Sequence, residues 1–268
     1  MKTRHVVLSA LLVALTACAP NGAPVKTENA EAELVAARDA AEPGRPLLVA
    51  LRLKAKPGWH TYWRNPGDSG QPTSIEWRLP AGFTAGPIRW PVPRRLPIGP
   101  LANYGYEGEV LLASEIRVPA DVKGQVRIAA RAKWLVCDPE RCIPESGELS
   151  LALPVGRGEP GKWGAAFEAI KLPQQPPADW KLAARRAGDR VLLEVTGCEE
   201  PSLYFFPYEE GKVEHGATQG LECTANGVRV AIPVSRQPVG EFTRLTGILV
   251  ARGGRAYEID VPIAAAQK

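Results

Sequence analysis

Gln125-Val126-Arg127-Ile128-Ala129-Ala130-Arg131-Ala132-Lys133-Trp134-Leu135-Val136-Cys137-Asp138-Pro139-Glu140-Arg141-Cys142 is the stretch from which the fold is read. Val126, Ile128, Ala130, Ala132, Trp134 and Val136 take alternate positions, and Arg127, Arg131 and Lys133 take positions between them. Successive side chains of a strand point to opposite faces, so the pattern predicts a long, half-buried strand with its even residues inward. Cys137 then falls on the outward face, although cysteines without a partner are usually buried. Asp138-Pro139 starts a turn, and the chain returns as a second strand through Leu149, Leu151 and Leu153.

Outward from this hairpin the period of two continues. Leu47, Val49, Leu51 and Leu53 alternate before it, and Val191/Leu193/Val195, Val228/Val230/Ile232, Ile248/Val250 and Tyr257/Ile259/Val261 after it. Pro and Gly, 26 of each, punctuate these runs, as expected of short strands joined by turns. The proline-spaced segment 91–97 is expected to be a surface loop, because proline lacks the backbone donor. Composition shifts after Pro154. Residues 162–171 carry Trp163, Phe167 and Ile170 at helical spacing, and the proline-rich run 173–177 follows. The expected architecture is all-β, with two immunoglobulin-like β-sandwich domains in tandem, 31–154 and 179–268, joined by a linker at 155–178. Asn226-Gly227 and Gly253-Gly254 are expected hairpin connections.

The N-terminus reads as a targeting segment. Lys2, Arg4 and His5 precede an apolar run from Val6 to Leu15, and ten residues span only about 15 Å as a helix, roughly half a bilayer core. Leu15-Thr16-Ala17-Cys18 has the form of a lipobox. Its resemblance to bacterial lipoprotein signals implies that residues 1–17 are removed and that Cys18 carries the acyl chains, with 18–30 as a tether. The expected location is the periplasmic side of the envelope, lipid-anchored, at the outer membrane in preference to the inner.

Removing the signal leaves 31 basic against 29 acidic residues, about +2, too balanced for a nucleic-acid binder. It also takes the single methionine and leaves His60 and His215, which excludes a Met- or His-rich copper site. Four cysteines remain, and spacing favours pairing Cys137 with Cys142 and Cys198 with Cys223. By loop entropy the six-residue ring stabilises by only about 2 kcal/mol, against about 3.5 kcal/mol for the 26-residue ring. The short bridge is the poorer staple, and an exposed one is open to an attacking thiolate. Spacing alone leaves a structural hairpin bridge and an exchanging pair equally open. Zinc is a weaker rival, since two sulfurs lack the further ligands of a tetrahedral site. Cys198–Cys223 is expected to be structural. Trp59, Trp63, Trp77 and Trp90 are expected core residues, and His60 a hydrogen-bonded structural one.

Three motifs together resemble a known family. Trp59-His60-Thr61-Tyr62-Trp63-Arg64-Asn65-Pro66-Gly67-Asp68-Ser69-Gly70, then Tyr104-Gly105-Tyr106-Glu107-Gly108-Glu109-Val110, then the Cys137–Cys142 stretch are similar to the N-terminal periplasmic domain of DsbD-type thiol:disulfide interchange proteins, nearest their ScsB-like branch. The resemblance runs from about 31 to 154, with the later half similar to that branch's second immunoglobulin-like domain. It implies that Cys137 and Cys142 are the redox pair, taking electrons from a thioredoxin-like domain and passing them to oxidised periplasmic partners. The family's cap corresponds to the region of Asn103, so Tyr104, Tyr106 and Trp134 are the candidates for the site's cap or wall, although Asn103 itself stands before the Tyr-Gly pair in place of an aromatic. The family's membrane conduit and C-terminal thioredoxin-like domain have no counterpart in this sequence, so the reductant is expected from a separate DsbD- or ScsB-type or thioredoxin-like partner.

The leading expectation is an envelope thiol-disulfide exchange protein, with Cys142 joined to the partner and no metal or organic cofactor. The alternative is a non-catalytic envelope scaffold with a structural disulfide.

Overall fold

A computed structural model describes residues 22–265, and the expected signal peptide and the Cys18 lipidation site lie outside these residues. In chain order the first unit contributes β1 (Val25–Lys26), β2 (Ala30–Ala36), β3 (Pro46–Ala55), β4 (His60–Gly67), β5 (Ser74–Arg78) and β6 (Thr84–Ala85). It continues with β7 (Arg94–Ile98), β8 (Leu101–Glu107), β9 (Glu109–Arg117), β10 (Gln125–Cys137) and β11 (Cys142–Pro154). One short helix, α1 (Gly164–Glu168), follows. The second unit holds β12 (Lys181–Ala187), β13 (Arg190–Thr196), β14 (Leu203–Pro207), β15 (Gly220–Thr224), β16 (Gly227–Pro233), β17 (Arg244–Ala251) and β18 (Ala256–Ala264). The all-β class expected from alternation is what forms.

The first unit is two sheets around one core. One runs β1-β2-β3-β9-β6 and the other β11-β10-β4-β8-β7, with β5 added on β10. Leu34, Leu51, Leu53, Leu112 and Ile116 from the first sheet meet Trp63, Tyr104, Ile128, Trp134 and Val136 from the second. All six even-numbered residues of the long strand are buried, as its period requires. Truncating one, such as the fully buried Ile128, to alanine costs about 2–5 kcal/mol.

The structure departs from expectation in several places. Arg94–Ile98 is not a loop but the edge strand β7, paired through Pro97↔Ala102. Proline is tolerated there because an edge strand has a free side on which no donor is needed. The expected tether is partly fixed, since Val25 and Lys26 pair with β2 and the Gly22 amide donates to Ser150. The helix is shorter than 162–171, and it docks back on the outer face of the first sheet. There Phe167 packs on Val35, Ala50, Leu111 and Ala113, and Trp163 lies under the Arg52 guanidinium.

The second unit also differs from a two-sheet sandwich. It is one path, β14-β17-β18-β12-β13-β16-β15. β18 pairs antiparallel with β17 and, through Ile263 and Ala264, parallel with β12, which joins what would otherwise be two sheets. The two units share buried contacts. Phe206, Ile248 and Ala256 of the second enter the core of the first. Asn65 donates to the Pro207 and Glu209 carbonyls, and Arg95 to those of His215 and Gly216.

Candidate functional site

The β10–β11 hairpin brings Cys137 and Cys142 together as its last register pair. The turn between them is held by Asp138, whose amide donates to the Arg141 carbonyl and whose carboxylate accepts the amides of Glu140 (2.8 Å) and Arg141 (2.7 Å). These donors, Glu140's first, hold the Asp138 carboxyl below its ordinary pKa. The cysteine Cα atoms lie 4.2 Å apart, close to the ~4.5 Å of a non-hydrogen-bonded cross-strand pair, and the sulfurs are bonded. Antiparallel pairing alone thus places the thiols in reach of each other.

The two sulfurs differ in access. Cys142 is exposed, and Cys137 is fully buried even though its side of the strand was expected to face solvent. The cover comes from far away in sequence. His60 of β4 pairs with Cys137, and the Tyr62 phenol lies over the bridge. Tyr62 Oη donates to Cys137 Sγ at 2.8 Å and lies 3.7 Å from Cys142 Sγ. Asn103 Nδ2 donates to the same oxygen at 3.3 Å, and His60 Nε2 sits 3.3 Å from it. A neutral His60 protonated on Nε2 is the tautomer that lets Tyr62 spend its own proton on the sulfur. Burial supports that state: it pulls the His60 pKa below its ordinary value, against the opposing fields of Glu107 and Asp138. Burial also pushes Tyr62 up to about 12, so its hydroxyl remains a donor throughout the neutral range.

A loop locks Tyr62 in place. Gly70, at φ +107°, lies against the ring so closely that an added Cβ would stand 2.2 Å from Cε1. Only glycine fits that approach. Ser69 bonds Asn103 Oδ1 through its amide (3.2 Å) and hydroxyl (3.0 Å), tying the loop to β8. On the open side of the bridge, the Arg141 guanidinium stands over the Trp59 ring at 5.4 Å.

The structure separates the residues expected at the site. Cys137 and Cys142 are there. Tyr104 and Tyr106 are not, because even-numbered residues of β8 point inward while Asn103 points to the disulfide side. Tyr104 is buried at the junction of the units, with its hydroxyl 3.0 Å from His215 Nδ1 and 3.3 Å from Tyr204 Oη. Tyr106 Oη donates to the Pro91 carbonyl. Trp134 is a core residue whose indole donates to Glu145, and it also walls a groove beside the hairpin with Gln71, Pro72, Leu135 and Pro144. The expected Cys198–Cys223 bridge is absent: both thiols are free. β16 lies between β13 and β15, so strands leading to the two cysteines are two ladder spacings apart, about 9–10 Å against the ~4.4–6.8 Å a disulfide needs. Sequence reasoning missed Tyr62, His60 and Asn103. The available signal was the phase of β4 and β8: from sequence His60 is expected as a hydrogen-bonded structural residue, and Asn103 as the cap position that lacks an aromatic, neither as a neighbour of the sulfurs.

No curated protein sequence matches this chain. Among solved structures, the YadV chaperone (13% identity, 85% of this chain and 98% of that one, TM-score 0.22) and domains 5-6 of the S-layer protein SbsC (9% identity, 91% and 100%, TM-score 0.21) superpose too poorly to inform the fold. The N-terminal periplasmic domain of ScsB from Proteus mirabilis superposes with a TM-score of 0.68 at 17% identity, over 91% of this chain and 98% of that one. It shares the fold across both units. Residues 31–154, which carry the disulfide and its tyrosine cover, match the family described as thiol:disulfide interchange protein DsbD, N-terminal.

Proposed function

We propose that this chain is an envelope thiol-disulfide exchange protein that relays two electrons through Cys137 and Cys142. The observation that carries this reading is the asymmetry of the bridge, with one sulfur exposed and the other buried under a phenol that donates to it. A structural staple has no need of a polar group aimed at one of its sulfurs. An exchanging pair does, because one sulfur must leave as a thiolate.

In the reducing half-reaction, a partner thiolate attacks Cys142 Sγ and forms a mixed disulfide. The Cys137–Cys142 bond breaks, and its electron pair goes to Cys137 Sγ, where the Tyr62 hydroxyl stabilises the new negative charge. The partner's second thiol then attacks its own bonded sulfur and releases Cys142. In the oxidising half-reaction, the Cys142 thiolate attacks an oxidised protein's disulfide, and Cys137 resolves the adduct by attacking Cys142. Two electrons enter and two leave.

The donor in this reading is a thioredoxin-like or DsbD/ScsB-type protein, and the chain is held at the periplasmic face by acyl groups on Cys18. The first unit, with its two packed sheets, serves as an immunoglobulin-like exchange domain, and the second as its fixed companion. The test is trapping in the envelope. With Cys137→Ser the resolving sulfur is gone, and a mixed disulfide through Cys142 is expected to accumulate. If neither Cys137→Ser nor wild type yields any adduct, the scaffold reading replaces this one.

A further inference from the structure

Cys198 and Cys223 are the nucleophilic side chains that the proposed relay leaves unused. Both line one concavity of about 400 Å³ at the end of β13, β16 and β15. Their burial is unequal in the same sense as at the first pair: Cys198 is 2% exposed and Cys223 lies on a fully exposed strand. The backbone brings them to one place. Gly197, at φ +82°, turns the chain after β13, and its amide donates to the Asn226 carbonyl at 2.8 Å. Cys198 is the residue after that bond, and Cys223 begins the approach to the hairpin turn that holds Asn226.

β15 is the last strand of its path and pairs with β16 alone, and β16 lies between it and β13, so Cys223 reaches Cys198 when the Cys223–Thr224 end of that one ladder opens. Glu199 and Glu200 also line the concavity; Glu200 is ion-paired with Arg255, and Glu222 beside it shares Arg229 with Glu194. A metal site does not fit. Among the described residues, no group of three or more His, Cys, Asp and Glu side chains is placed to hold an ion, and two sulfurs do not complete a tetrahedral site.

We infer that Cys198 and Cys223 form a second thiol-disulfide exchange site, a dithiol at rest that closes on reaction with a small or protein disulfide. The Cys223 thiolate attacks the incoming disulfide RSSR, forms Cys223–S–SR and releases RS⁻. Cys198 gives up its proton to solvent and attacks Cys223 Sγ, which releases the second RS⁻ and leaves the Cys198–Cys223 bond. One disulfide is reduced to two thiols, and two thiols are oxidised to one disulfide. Burial pushes the Cys198 thiol above its ordinary pKa, so the first attack falls to the exposed Cys223 and not to Cys198.

The test uses the full chain, reduced, desalted and incubated with oxidised glutathione, with each cysteine mapped by peptide mass. The expected product joins the Cys198 and Cys223 peptides, and no glutathione is retained. Cys198→Ala and Cys198→Ser should each hold one glutathione on Cys223, and Cys223→Ser should leave Cys198 unmodified. The two replacements at Cys198 guard against loss of folding in either. If wild type keeps glutathione on Cys223 while Cys198 stays free, Cys223 is an ordinary surface thiol and the inference is overturned. Cys137 and Cys142 lie on other peptides, so this result is independent of the first site's.

Discussion

Tyr62→Phe removes one oxygen from the centre of the site and keeps the ring that Gly70 packs against. Tyr62 Oη donates to Cys137 Sγ at 2.8 Å in a fully buried position. A hydrogen bond to a charged group contributes about 1.5–3 kcal/mol. The bond favours the Cys137 thiolate over the disulfide, so removing it stabilises the oxidised form. For a two-electron couple, about 1.4 kcal/mol corresponds to 30 mV, and the potential should fall by roughly 30–65 mV. Because the same charge develops as Cys137 leaves, reduction by dithiothreitol should slow by about 10- to 100-fold. Equilibration in glutathione buffers gives the first quantity and stopped-flow mixing the second. Tyr106→Phe is the control, since Tyr106 lies on the same sheet but donates to the Pro91 carbonyl. It should lower stability by about 1–3 kcal/mol through the unpaired carbonyl and leave potential and rate unchanged. Equal behaviour of the two variants would refute the argument that the Tyr62 hydroxyl acts on the sulfur.

Gly70→Ala should destabilise the fold by about 1–3 kcal/mol in denaturant titrations, because the new methyl meets the Tyr62 ring at positive φ. In reduced protein, a bulky maleimide should label Cys142 at least tenfold faster than Cys137, and denaturation should abolish that difference. Stability should fall as pH drops below 6.5, the ordinary pKa of both His60 and His215. Burial lowers both in the folded state, so the unfolded chain takes up protons that the native one refuses. Replacing His215 with Asn should shallow that slope, as read from urea midpoints at several pH values.

The long strand was legible because its period is local: six apolar residues two apart specify a buried face whatever surrounds them. The hairpin and its cysteine pair were legible for the same reason. The burial of Cys137 was not, since its cover is Tyr62 and the loop carrying Gly70, some seventy residues earlier in the chain. Alternation says which residues share a face but not whether a second layer lies over it. The misplaced tyrosines show the limit of resemblance. Tyr104 and Tyr106 lie in the expected segment, but the phase of β8 turns them into the core and presents Asn103 instead. Cys198 and Cys223 looked like a staple because each ends a strand-like run. Strand order, with β16 between them, is not written in spacing.

The reduction potential of the Cys137–Cys142 bridge in the full chain tests the central claim most directly. Equilibrated against thiol-disulfide buffers, an exchanging pair should titrate above about −300 mV. A value well below that would mark a structural bond, and the electron-relay account would fail.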